Sequence, residues 1–262
     1  SHFGSSHLAH VAVPEAVSRG VFAKLHPRAS SMAKYPWGDE NFTMSSLPVC
    51  MLISTVLVGG ALIGVGPGGA VNGFPGPEDL YGVVGVTLGW IVMWYTFLGN
   101  QIAFKFAEMD ESQKQTAANI ADRGVINTIE QCIPFFLVLW LHALFVNPST
   151  SAVLGWIYVV MRYLYPVCYG LYGKFNNMVE IPAQVNYAII FYLFWAIVYK
   201  CTKASDFHTD LTNISPLLVP LVVFLSGVTT VMLFLVGSKP AAAVISKGVA
   251  WDAAYKPPLA SQ

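Results

Sequence analysis

Apolar residues occur along the chain in six runs of about 20 residues, separated by shorter polar segments. A run of this length is what an α-helix needs to cross the hydrocarbon core of a bilayer. In chain order the runs are Leu47–Val65, Val83–Phe106, Val125–Val146, Ala152–Tyr172, Ile181–Cys201 and Pro216–Gly237. The pattern predicts an all-α integral membrane protein with six transmembrane spans, joined after the first span by an irregular Gly- and Pro-rich loop.

The distribution of basic residues predicts the orientation of these spans. Cytoplasmic loops of membrane proteins are enriched in Lys and Arg. With six spans, the side that holds the N-terminus carries eleven bases: Arg19, Lys24, Arg28, Lys34, Lys105, Lys114, Arg123, Lys174, Lys239, Lys247 and Lys256. The opposite side carries only Lys200 and Lys203, and Arg162 lies inside a span. This asymmetry favours six spans with both termini on the same side.

Composition agrees with a membrane protein and excludes several other classes. Hydrophobic residues make up 55% of the 262 residues and charged residues 11%, whereas a soluble domain has roughly 25% charged residues. The formal net charge is zero, so no basic surface indicates nucleic acid binding. None of the four cysteines (Cys50, Cys132, Cys168 and Cys201) has metal-ligand spacing.

The first 46 residues are rich in Ser, Ala and His and contain more bases than acids. This composition is consistent with the remainder of a processed organellar precursor, and also with a sequence trimmed at its start. The first interpretation favours a mitochondrial inner or thylakoid membrane, with the endoplasmic reticulum as the alternative.

Two sets of polar residues interrupt the apolar pattern in neighbouring spans. Arg123, Asn127 and Glu130 lie at i, i+4 and i+7, on one helical face that leads into the third span. In the fourth span, a second face carries Gly155, Tyr158, Arg162, Tyr165 and Tyr169. An ionised residue at a bilayer centre costs roughly 2.5–3.5 kcal/mol on insertion scales. These groups therefore either satisfy one another or hold something polar.

Depth along the two helices predicts a contact between Glu130 and Arg162. A rise of 1.5 Å per residue places Glu130 about 10 Å and Arg162 about 15 Å below the N-terminal side. The two antiparallel helices could thus share a buried ion pair that fixes their register. Alternatively, the polar groups could line a pocket for a ligand with carboxylates and amides.

These residues resemble the MAPEG family, the membrane-associated proteins of eicosanoid and glutathione metabolism. The spacing of Arg123, Asn127 and Glu130, followed by Pro134, is similar to the start of the family's second helix. Gly155, Tyr158, Arg162, Tyr165 and Tyr169 have the spacing seen in its leukotriene-synthase branch. The resemblance covers roughly residues 83–201 and implies a four-helix bundle with one additional transmembrane helix on each side.

With this resemblance, the chain divides into five predicted regions. Residues 1–46 form a polar N-terminal extension, and residues 47–82 an additional span with its loop. Residues 83–201 form the MAPEG-like core. Residues 202–237 form a loop and the second additional span, and residues 238–262 a C-terminal extension. We expect the extensions and the added spans to contact other membrane-protein subunits.

The resemblance also implies a trimer with glutathione bound between subunits. The implied glutathione contacts are Arg123, Asn127, Glu130, Arg162, Tyr165 and Tyr169. In the transferase members, an arginine after the last tyrosine activates the glutathione thiol. Asn176 stands at that position, and the nearest base is Lys174. A lysine is a point charge with different reach from a guanidinium, so Lys174 and Tyr169 are the candidate catalytic residues.

Two functions follow from this mixture of retained and missing residues. In the first, the chain is an accessory subunit of a large respiratory or photosynthetic membrane complex, with a degenerate glutathione site or a bound lipid or pigment in its place. His142 and Asn100 would then be possible pigment ligands, although a packed or hydrogen-bonded histidine is the stronger expectation for His142. In the second, the chain is a glutathione transferase or peroxidase that acts on lipophilic electrophiles or hydroperoxides.

Overall fold

The computed structural model describes residues 46–66, 74–106, 110–172, 176–233 and 236. In chain order its elements are α1 (Leu47–Val65), a 3-10 turn (Pro77–Leu80), α2 (Tyr81–Phe106), α3 (Glu111–Phe145), α4 (Pro148–Tyr172), α5 (Asn177–Lys203), α6 (Phe207–Ile214) and α7 (Leu218–Leu233). Every regular element in these ranges is helical. The predicted N-terminal and C-terminal extensions lie outside the described residues.

The predicted spans correspond to six of these helices. Helices α1 to α5 are long and apolar enough to cross a membrane, and α7 is a shorter apolar helix. The main difference lies in α3, which begins about four turns before the predicted span that starts at Val125. The predicted span begins only after Asp122 and Arg123, because these charged residues lower the local hydropathy. The backbone hydrogen bonds of a helix, in contrast, continue through charged residues. At 35 residues and 1.5 Å per residue, α3 exceeds the roughly 30 Å of the hydrocarbon core.

Glycines on α2 and α4 allow these two helices to approach closely. A Cβ atom at Gly89 would lie 2.7 Å from the Trp156 ring, and one at Gly155 would lie 2.8 Å from Val86 Cγ1. Small residues at such contacts let helix backbones pack closely in membranes, where the hydrophobic effect contributes little. Gly155, which belongs to the motif on α4, therefore serves the packing of the bundle.

The two helices outside this bundle pack against each other and against α5. Helix α1 contacts α5 and α4, and its Gly59 meets α7, where an added Cβ would lie 3.0 Å from Pro220 Cβ. Val219 and Val223 of α7 are buried in the same apolar core as Val58 of α1. The two added helices thus pack against each other and share an apolar core with α5.

A short amphipathic helix, α6, follows shortly after the end of α5. Asp206 caps α6 by accepting a hydrogen bond from Thr209 N at 3.0 Å. His208 Nε2 lies 3.1 Å from Gly66 O, and its Nδ1 lies 3.2 Å from the Tyr192 hydroxyl. Since a carbonyl oxygen only accepts, Nε2 donates to Gly66 and ties the end of α1 to α5 and α6.

Candidate functional site

Arg123, Asn127 and Glu130 form one stripe on the surface of α3. Residues four and seven apart in an α-helix differ in direction by only about 20–40°. Arg123 and Glu130 are exposed, and Asn127 is half-buried. The stripe thus lies at the edge of the helix pair rather than in its interior, and it faces outward from the single chain.

Arg162 of α4 lies completely inside the bundle. Its Nε donates to the Thr128 hydroxyl at 3.1 Å, and its Nη2 donates to the side-chain carbonyl of Asn127. The guanidinium carbon also lies 5.2 Å from the centre of the Tyr165 ring, a cation–π distance. The charged group is therefore held by neutral partners on α3 and α4.

The predicted ion pair between Glu130 and Arg162 is wrong for the described residues of a single chain, although the Glu130 carboxylate still acts electrostatically on the guanidinium. Within the described ranges, the Arg162 hydrogen bonds go to Thr128 and Asn127, whereas Glu130 is exposed. The physical reason is angular: Glu130 lies about 200° around α3 from Thr128, which faces α4. Depth alone placed Glu130 and Arg162 at similar levels but did not give the direction of their side chains.

Two of the three tyrosines of the α4 motif, Tyr165 and Tyr169, continue the polar face toward the end of the helix. Tyr165 is buried, and its hydroxyl accepts a hydrogen bond from Asn127 Nδ2 at 3.3 Å. Arg123 also interacts electrostatically with this hydroxyl. Tyr169 is half-buried and stacks on Tyr165 with 6.3 Å between ring centres. The structure thus brings Arg123, Asn127, Arg162, Tyr165 and Tyr169 into one connected group.

Asn176 has a structural role at the start of α5. Its side chain is fully buried and accepts a hydrogen bond from Val179 N at 3.2 Å, which makes it the N-cap residue of the helix. Asparagine is among the best N-cap residues because its oxygen satisfies an otherwise free backbone N–H. The other candidate at this end of the site, Lys174, lies outside the described residues.

Two residues that the sequence analysis did not assign to the site complete its interior. Thr128 accepts from Arg162, and Gln131 lies 3.5 Å from the Tyr158 hydroxyl. Tyr158 in turn stacks on Phe135 with 3.6 Å between ring centres. The signal that could have found them is their period: Thr128, Gln131 and Phe135 follow one another at three- and four-residue steps along the buried face of α3.

The residues considered as pigment ligands do not form a site together. His142 is buried, and its Nδ1 lies 2.7 Å from the Ser151 hydroxyl, which confirms the expectation of a hydrogen-bonded histidine. Asn100 is exposed on α2. Across the described part of the chain, no group of three or more His, Cys, Asp or Glu residues could hold a metal ion.

The part of the chain that matches a known protein family is the part that forms the helical bundle described above. A family model described as the MAPEG family matches residues 80–199. No curated protein and no solved structure matches the chain. The matched residues run from the end of the 3-10 turn through most of α5, so they contain α2, α3 and α4 and leave out α1, α6 and α7.

Proposed function

We propose that the chain is an accessory subunit of a large organellar membrane complex, respiratory or photosynthetic, with a degenerate glutathione site; the match of a MAPEG family model to residues 80–199 supports the origin of its core. In this role the bundle is a multi-pass scaffold within the bilayer. Its lateral surfaces and its terminal extensions contact neighbouring subunits.

The observation that carries this proposal is the position of Asn176. A cation near sulfur lowers the pKa of a thiol and favours the thiolate, which is the nucleophile. The resemblance puts the activating arginine of the transferases at this residue. Here the side chain is neutral, buried and engaged as the N-cap of α5. It is therefore unable to present a positive charge to a glutathione sulfur.

The exposed stripe on α3 supports the presence of a partner. Arg123 and Glu130 are exposed at one end of a membrane-spanning helix. Charged side chains that face lipid are costly, and in membrane proteins they almost always pair or face the protein interior. Helix α1 does not cover this stripe, because it packs on α5 and α4, and Arg123 and Glu130 stay exposed among the described residues. A neighbouring subunit would cover it.

A second candidate is a glutathione transferase or peroxidase acting on lipophilic substrates. The observation that favours it is the group formed by Arg123, Asn127 and Tyr165, in which an amide bridges a buried phenol and the Arg162 guanidinium. Such donors suit the carboxylates and peptide groups of glutathione. In this reading Tyr169, or Lys174, would steady the thiolate.

A glutathione titration followed by conjugation of a small aryl halide separates the two functions. For an accessory subunit we expect no saturable turnover, together with co-purification in mild detergent at fixed stoichiometry with other membrane subunits. Saturable turnover that Lys174→Ala abolishes, from a protein that purifies alone, would overturn the proposal. Lys203→Ala is the matched control, because Lys203 lies at the other end of the bundle at the end of α5.

A further inference from the structure

A groove between α5 and α7 opens on the lateral surface, close to the end of the bundle where α6 lies. Its lining includes Trp195 and Tyr199 of α5, Phe207 of α6, and Leu225 and Thr229 of α7. Trp195 and Leu225 are exposed along its sides. Its volume of about 410 Å³ lies within the range of ligand pockets, roughly 300–1,000 Å³. The groove is therefore large enough to hold a segment of a lipid.

This groove is separate from the polar group on α3 and α4. None of its lining residues belongs to that group. Helices α6 and α7, which supply one side of it, follow the end of the family match at residue 199. The groove is thus formed largely by the part of the chain that the family model leaves out.

The hydroxyl groups of the lining are all engaged as donors within the protein. Tyr199 donates to Asp210 Oδ2 at 2.9 Å, and Thr202 donates to the Tyr199 carbonyl at 3.0 Å. On α7, Ser226 and Thr229 each donate at 2.9 Å to the backbone carbonyl four residues earlier. These hydroxyls have no proton left to donate to a ligand, so the groove favours a hydrocarbon segment such as an acyl chain.

One charge of each sign lies at the end of the groove near α6. Lys203 follows Tyr199 by four residues, so the two side chains share a face of α5, one turn apart. On the other side of Tyr199, the Asp210 carboxylate accepts its hydroxyl proton, and hydrogen bonding holds the pKa of this carboxyl below its usual value. Within the ranges that the structure describes, neither Lys203 nor Asp210 forms an ion pair.

These two charges, rather than the groove itself, would select the lipid. A lipid tail is as apolar in the bilayer as it is against protein side chains, so the tail contributes little to selectivity. A zwitterionic headgroup carries a phosphate, which complements Lys203, and an ammonium group, which complements Asp210. An anionic headgroup without the ammonium would leave the Asp210 carboxylate opposite a like charge.

We propose that this groove binds one zwitterionic glycerophospholipid, with an acyl chain between α5 and α7 and the headgroup at Lys203 and Asp210. The lipid belongs to the leaflet on the side of the membrane at which α5 ends. This inference is independent of the proposed function, because an accessory subunit and an enzyme could each carry such a lipid.

The first test measures lipid binding to the full chain in detergent micelles by native mass spectrometry. Phosphatidylcholine, phosphatidylglycerol and diacylglycerol with identical acyl chains are titrated separately. We expect one phosphatidylcholine per chain at saturation, bound about 2–5-fold more tightly than either of the other two, the range for exposed ion pairs. Equal binding of the three lipids, or no saturable binding, would overturn the proposal.

A tryptophan placed in the groove tests its location. Leu225→Trp fills the groove from an exposed position, so the chain should still fold, and we expect saturable phosphatidylcholine binding to be lost. Leu221→Trp makes the same change one turn earlier on α7, at an exposed position that does not line the groove. This control should bind as the unmodified protein does, and equal loss in both variants would contradict the location.

Substitution of the two charges tests the headgroup contacts. Lys203→Gln should weaken phosphatidylcholine and phosphatidylglycerol alike, by about 2–5-fold, because both carry the phosphate. Asp210→Asn should weaken phosphatidylcholine and strengthen phosphatidylglycerol. Lys200→Gln is the control, because Lys200 lies about 160° around α5 from Thr202 of the lining. An unchanged ratio of the two affinities in Asp210→Asn would contradict the ammonium contact.

Fluorescence quenching covers the case in which a groove variant does not fold. Phosphatidylcholine with brominated acyl chains should quench the unmodified protein with a saturable component. That component should be absent from Trp195→Phe and present in Trp156→Phe, which removes an exposed tryptophan of α4. A saturable component that persists in Trp195→Phe, or a partner polypeptide retained at the groove in place of lipid, would overturn the proposal.

Discussion

Arg162 Nε donates a hydrogen bond to the Thr128 hydroxyl across the interface of α3 and α4, at 3.1 Å. The Thr128 hydroxyl in turn donates to the Gly124 carbonyl, four residues earlier on α3, at 2.8 Å. A buried charge is thus connected through one hydroxyl to the backbone of the facing helix. This contact and the hydrogen bond from Arg162 to Asn127, rather than an ion pair with Glu130, join the two polar faces.

Thr128→Val should destabilise the bundle by about 1–3 kcal/mol, because it leaves a buried charged donor without its acceptor at nearly constant volume. The free energy of unfolding in mixed micelles is the measurement. Thr116→Val is the control, since Thr116 lies on the exposed part of the same helix and its hydroxyl donates to Ser112 O. Equal effects of the two variants would contradict the role of Thr128.

Asn176→Ala should destabilise α5 by about 0.5–2 kcal/mol, because the backbone N–H of Val179 loses its side-chain acceptor. Asn176→Ser, which retains a good capping oxygen, should recover most of this loss. The free energy of unfolding reports both variants. If alanine and serine were equally destabilising, buried volume rather than capping would explain the asparagine.

Gly59→Val should separate α1 from α7. Its Cβ would meet Pro220 Cβ at 3.0 Å, and overpacking of this kind typically costs about 1–3 kcal/mol. Gly60→Val is the matched control, because nothing lies within 4 Å of a Cβ at that neighbouring position. Thermal stability measures the difference. A Gly60 variant as unstable as the Gly59 variant would mean that the two helices do not pack through this glycine.

Asp210 gives an expected dependence on pH outside the membrane. Hydrogen bonds from Ser205 at 2.6 Å and Tyr199 at 2.9 Å hold the pKa of this carboxyl below its usual 3.8. The carboxylate therefore contributes stability above pH 3.8, and this contribution is lost as the pH falls through the lower pKa of the folded state. The Tm difference between the unmodified protein and Asp210→Asn should shrink in that range.

Ser205→Ala is the matched test of the cause of this shift. Removing the Ser205 hydroxyl deletes the largest contribution to the lowered pKa of Asp210. The acid-dependent part of the Tm difference should then become smaller and move toward pH 3.8. A difference that is unchanged by this substitution would show that the Ser205 hydrogen bond does not set the pKa.

The sequence by itself determined the elements of this protein and the faces of its helices. Apolar runs of bilayer length predicted helices at all six spans, because hydrophobicity and length follow directly from composition. The period of 3.6 residues placed Arg123, Asn127 and Glu130 on one stripe, because that period is a property of the helix alone. The spacing on α3 and α4 also predicted the resemblance to the MAPEG family, whose model matches residues 80–199.

Only the tertiary structure decided which polar groups meet. Whether Thr128 or Glu130 faces Arg162 depends on the rotation of α3 about its axis, and that rotation is set by packing against α4 and α5. The capping role of Asn176 likewise depends on where α5 begins, and the contact of Gly59 with Pro220 joins residues far apart in the chain. Side-chain partners across helices are fixed by packing, which no local pattern in the sequence contains.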